Sequence, residues 1–145
     1  MIDIGALTRC VLVALRQESG QLVGDGVAPE GCGWISGQPN VSAFVPYGVV
    51  SFTGASNPDQ ALRYAEAIRT WDTTWRLSCY GGSREQCDWV AALVRAGVED
   101  CLNQEFGAYR VSYAWWRSLG SMTRSDVTDP PMWSVTDAFV LRCDS

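Results

Sequence analysis

The sequence predicts an α+β domain: a four-stranded, mostly antiparallel sheet packed against two helices as a two-layer sandwich. Three observations lead there. Two segments, residues 3–17 and 83–103, repeat apolar residues at helical spacing. The stretch Trp71–Tyr80 shows the clearest alternation in the chain, with Trp71, Thr73, Trp75, Leu77 and Cys79 on one face and Asp72, Thr74, Arg76, Ser78 and Tyr80 on the other, the mark of a half-buried strand. The chain has 145 residues, the length of one domain with a real core, so residues 1–145 are read as a single unit.

The first helix, Asp3 to Gln17, carries Ile4, Leu7, Val11, Ala14 and Leu15 on one stripe, and Gly20 is placed to end it. Residues 19–43 hold six glycines and two prolines, and neither period survives there, so a long loop is expected. Trp34 stands alone in that loop, and a lone ring there either folds back on its own domain or meets a partner. A strand is expected from Phe44 to Thr53, with Pro46 near its start, where the missing N–H is tolerable. The connector "GASNPDQALRYAEAI" has room for a short helical turn before the strand over Trp71–Tyr80. Ser83 is a good N-cap with Gln86 three residues on, and Glu85 and Asp88 suit the positive end of a helix dipole. The stripe Cys87, Val90, Ala91, Val94, Val98, Cys101 and Leu102 then runs to about residue 103; Gly97 weakens it by about 1 kcal/mol relative to Ala. Strands over residues 109–119 and 133–143 close the chain.

The charge inventory restricts the chemistry. All 11 basic residues are Arg, and there is no Lys or His, so the common proton-transfer bases are missing. A net charge of −5 with dispersed arginines disfavours tight binding to a phosphate backbone. No apolar run reaches the roughly 18 residues of a membrane span. The N-terminus opens on Asp3 rather than a basic segment, so it does not read as a signal peptide, and use inside a cell is expected. The six cysteines show no CxxC spacing, and most fall on apolar faces and read as packed free thiols. Cys87, at the start of the second helix, is the nearest to an activated nucleophile, but it also lies on the apolar stripe.

Carboxylates remain. Asp126 and Asp129 precede Pro130-Pro131 and read as metal ligands, an acid/base pair or a polar turn; the turn is favoured because "DVTDPP" lacks the ligand pattern of a Ca²⁺ loop. Asp137 shares a strand face with Trp133, Val135, Phe139 and Leu141. A carboxylate there needs a bulge that turns it outward, an Arg partner, or a face covered by another subunit; an Arg, in the same chain or across an interface, is expected. No catalytic residue, metal site or cofactor is assigned.

Taken in order, "MIDIGALTRCVLVALR", "VGDGVAPEG", "PYGVVSFTG", "GGSREQCDWVAALVRAGV" and "MTRSDVTDPPMWSVTDAFVLRC" resemble the tail terminator proteins of long-tailed, non-contractile bacteriophages, in the form found in actinobacterial phages. Within these, Ser83, Arg84, Gln86 and Trp89, and then Asp126, Pro130, Trp133 and Asp137, carry the pattern. The resemblance implies a structural virion protein without catalysis. It would form a homo-oligomeric, six-fold ring that caps the tail tube, ends tube polymerisation and offers the head–tail joining surface. Its partners would be the major tail tube protein and a head–tail connector or stopper protein, with DNA passing through the ring without sequence-specific binding. Its place would be the neck of the virion, after assembly in the host cytoplasm. Trp34, Arg124, Asp126 and Asp137 are the interface candidates. The other readings are a different neck protein of the same particle, a small carboxylate-dependent enzyme and a monomeric ligand-binding domain.

Overall fold

The computed structural model describes residues 2–34, 44–56, 70–127 and 131–145. Helix α1 (Ile4–Ser19) opens at Asp3, whose carboxylate accepts the Ala6 N–H at 3.0 Å. It closes at Gly20, whose φ of +66° is unfavourable for other residues and whose N–H donates to the Arg16 carbonyl. Helix α2 (Arg84–Asp100) opens at Ser83, whose hydroxyl accepts the Gln86 N–H at 3.2 Å. The Gln86 amide in turn accepts the Gly82 N–H at 2.9 Å, so the box predicted from the sequence forms with its return bond one residue earlier. The helix stops three residues short of the expected end, because residues 101–103 turn and Asn103 takes a left-handed φ of 65°.

Nine strands are described: β1 (Val23–Asp25), β2 (Gly33–Trp34), β3 (Phe44–Val45), β4 (Tyr47–Ser56), β5 (Thr70–Gly81), β6 (Glu105–Phe106), β7 (Tyr109–Ser118), β8 (Thr123–Ser125) and β9 (Met132–Asp144). The expected α+β class holds, but the sheet is larger and more mixed than the four antiparallel strands expected. It has seven strands in the order β1-β4-β5-β9-β7-β6, with β8 beside β9. β1 runs parallel to β4, and the other pairs are antiparallel. The extra strands are two or three residues long, too short to show a period among glycines and turn residues.

The predicted loop at 19–43 is therefore partly sheet. β1 is tied down by Arg16, whose Nε donates to the Val23 carbonyl at 3.0 Å, and by Gly48, whose N–H donates to the Leu22 carbonyl at 2.8 Å. The strand expected from Phe44 to Thr53 is split at Pro46. Before it β3 pairs with β2; after it β4 joins the main sheet and runs on to Ser56. The helical turn expected in the following connector falls on residues 57–69, outside the described residues.

The helices and the inner face of the sheet enclose one core. Leu7, Val11 and Leu15 of α1 and Val90, Val94 and Val98 of α2 meet Val50, Trp75, Leu77, Phe139 and Leu141 of the sheet. Trp75 is fully buried, stacked on Phe139 at 5.9 Å and edge-on to Phe52 at 5.3 Å. Its indole N–H donates to the Thr73 hydroxyl at 2.9 Å, and that hydroxyl donates to the Leu141 carbonyl at 3.0 Å, so the polar atoms buried with the ring are matched. The two helices cross closely at Gly97, where an added Cβ would lie 2.8 Å from the Leu15 Cα.

Candidate interaction surface

The alternation of β9 carries Asp137 into the core side of the sheet, where it is 1% exposed. About three turns into α2, Arg95 projects toward the same point, and its Nε donates to Asp137 Oδ2 at 2.8 Å. This is the arginine partner that a carboxylate on an apolar face requires. The second oxygen, Oδ1, is buried without a partner among the described residues. Arg95 also lies over the Trp116 ring, 4.9 Å from its centroid, within range of a cation–π contact. Among the described residues, Arg95 thus links the buried Asp137 to an indole that is 43% exposed.

That indole belongs to a segment, Tyr113–Leu119, that holds four of the nine exposed large hydrophobic side chains among the described residues. β7 pairs with β9 on one side, and the register sets its faces. Tyr113, Trp115 and Arg117 lie opposite Arg142, Val140 and Ala138 on the outer face, and Ala114, Trp116 and Ser118 lie on the helix side. On the other side β7 meets β6 only at Tyr109 and Arg110, with Val111 also bonded to residues 103 and 104. Beyond that point β7 is a bare edge among the described residues. Tyr113, Trp115, Trp116 and Leu119 are all exposed along it. Exposed aromatic groups on such an edge make it a candidate interaction surface.

On the outer face an open cleft of about 490 Å³ is lined by Tyr113, Trp115 and Arg142. The Tyr113 and Trp115 rings are 5.2 Å apart. Arg142 is fixed by a two-pronged contact with Asp72, Nε to Oδ1 at 2.8 Å and Nη2 to Oδ2 at 3.1 Å. Two aromatic rings beside a pre-oriented guanidinium form the residue set that anchors protein interfaces.

The four candidate residues from the sequence do not converge. Trp34 is half-buried and folded back on its own domain, edge-on to Phe44 at 5.1 Å. Phe44 stacks on Tyr47 and Tyr47 on Tyr80, so the ring begins an aromatic row at one end of the sheet. Arg124 and Asp126 form an exposed ion pair at 3.1 Å next to β8, at that same end. Asp137 sits apart, beneath Trp116. The pairing of Asp126 with Asp129 lies outside the described residues, since Asp129 is not among them. The run "YAWW" at Tyr113–Trp116 was not among the candidates. Part of the signal was available, because three aromatic residues in four positions put rings on both faces of one strand; that the strand borders the sheet is set by the fold.

Nucleophilic chemistry finds little support in the thiols. Burial pushes Cys79, Cys101 and Cys143 up to about 12, which keeps them protonated near neutrality. Cys87 is raised to about 11, by burial first and then by the neighbouring Asp88 charge, which outweighs any help from the helix start. Among the described residues, no group of three or more Cys, Asp or Glu side chains is arranged to hold a metal ion.

No protein-family model matches the chain, and no curated protein matches it. Among solved structures, the fold is similar to that of a chain in the virion of a native gene transfer agent particle, with a TM-score of 0.55. The identity is 18%, and the likeness covers 98% of this chain and 97% of that one, so the two share a fold from end to end.

Proposed function

We propose that the protein is a structural subunit of a phage-type virion that forms a six-fold ring on the finished tail tube. The ring ends polymerisation of the major tail tube protein and presents the surface that joins a head–tail connector or stopper protein. The observation that carries this reading is the end-to-end fold likeness to a chain of a virion particle. It is supported by the order of sequence segments that resemble tail terminators and by an aromatic edge strand suited to subunit contact.

The charge arrangement suits passage of DNA. Arg95, Arg110, Arg124 and Arg142 are each paired with a carboxylate of the same chain, so the charge they offer a phosphate backbone is largely offset. With a net charge of −5, a ring of such subunits lets DNA slide rather than holding it. The enzyme reading is weaker, since Asp137 is tied to Arg95 and Asp126 to Arg124.

The test is to remove the gene and examine tails by electron microscopy. Tails of irregular length without heads support a terminator. Tails of normal length that fail to join heads would instead place the chain among the other neck proteins. Normal, infectious particles would refute a virion role.

A further inference from the structure

The two edges of the main sheet match each other. β1 covers β4 only at Gly48–Val50, leaving Ser51–Ser56 bare among the described residues. β6 and residues 103–104 cover β7 only through Val111, leaving Tyr113–Ser118 bare. Both windows are six residues long, as counted from these positions. β4, β5, β9 and β7 are successively antiparallel, so β4 and β7 run in opposite directions. A second copy in the same orientation would therefore bring its β4 antiparallel to β7 of the first. The short strands β1 and β6 would then cap opposite ends of the new pair and would not collide.

From this match we infer that β7 of one copy pairs with the Ser51–Ser56 edge of the next, continuing the sheet from subunit to subunit. The inference rests on the ring proposed above and names the contact that builds it. One register keeps both faces in phase across the bulge between Phe52 and Gly54. It sets Ser56 against Tyr113, Gly54 against Trp115 and Phe52 against Trp116. An aromatic ring then covers a bare glycine, and a second aromatic pair forms on the helix side. Pairing β7 with another β7 would leave the β4 edge uncovered and set Trp115 against itself. Joining two different edges is head-to-tail, the type of contact that closes into rings.

Cysteine cross-linking of the full chain tests the contact. Gly54→Cys is tolerated sterically, since an added Cβ has open space there. The variant carrying Gly54→Cys and Trp115→Cys, oxidised at concentrations where sedimentation shows multimers, is expected to give a ladder of covalent oligomers. With Cys10 and Cys32 replaced by Ser in every variant, either single variant and the parent chain should give none. A second pair, Ala55→Cys with Ala114→Cys, covers the alternate cross-strand geometry. Dimers from Trp115→Cys alone would overturn the proposal in favour of like-edge pairing. Multimers that neither double variant cross-links would overturn the strand contact while leaving the ring reading intact. A chain that stays monomeric at millimolar concentration and also fails to cross-link in isolated particles would overturn the contact. Absence of the chain from particles would separately refute the virion role.

Discussion

Replacing Arg95 with Met removes the partner of a carboxylate that is 1% exposed and already has one unmatched oxygen. Met keeps the length of the stem that crosses the core, so the loss is chiefly electrostatic. Breaking a buried pair from one side costs about 3–5 kcal/mol. The Arg95 side chain is 30% exposed, which points to the lower end, about 3 kcal/mol, with the lost contact to Trp116 contributing about 0.5 kcal/mol of that. For a chain of this size, 3 kcal/mol lowers the melting temperature by about 10 °C. The assay is urea unfolding of Arg95→Met, Asp137→Asn and the double variant. The double variant should be more stable than the sum of the single losses predicts, by about 2 kcal/mol, because removing both charges leaves no orphan. A loss below about 1 kcal/mol for Arg95→Met, or strict additivity, would refute the claim that the pair is held by burial.

Two further perturbations probe the packing. Gly97→Ala should destabilise by about 1–2 kcal/mol in urea, because the crowding against Leu15 exceeds the helix-propensity gain of about 1 kcal/mol; a stabilised variant would contradict the close helix crossing. At pH 8 a thiol reagent should modify at most Cys10 and Cys32 in the folded chain and all six thiols after unfolding. Rapid modification of a third would show that the core opens. The same buried thiols make stability fall in alkali: their folded values lie above the ordinary 9.0, so the contribution is complete below about pH 9 and is lost as pH rises toward 12. Unfolding free energies that stay flat over that window would contradict their burial.

Elements with a long period were legible in the sequence, and those without one were not. β5 and β9 alternate for ten or more residues, and both helices carry stripes and N-caps, so their positions followed from local pattern. β1 and β2 are fixed by tertiary contacts of a glycine-rich segment, which no local period reports, whereas β3 is the start of the expected strand, cut off at Pro46. Asp137 was legible as a residue in need of an arginine, but its partner lies 42 residues away on α2, and only the fold selects Arg95 from the 11 candidates. Gly97 read as a weak point in a helix; its role is to admit α1, which a single helix cannot show. The aromatic edge was visible as "YAWW", yet its exposure depends on β7 lying at the border of the sheet.

A reconstruction of the neck region by electron cryo-microscopy would show whether this chain has a place in the particle. Six copies of this fold are expected in a ring at the head-proximal end of the tail tube, with β7 in contact with the adjacent copy. A neck whose ring at that position is built from another chain, with this one absent from the particle, would contradict it.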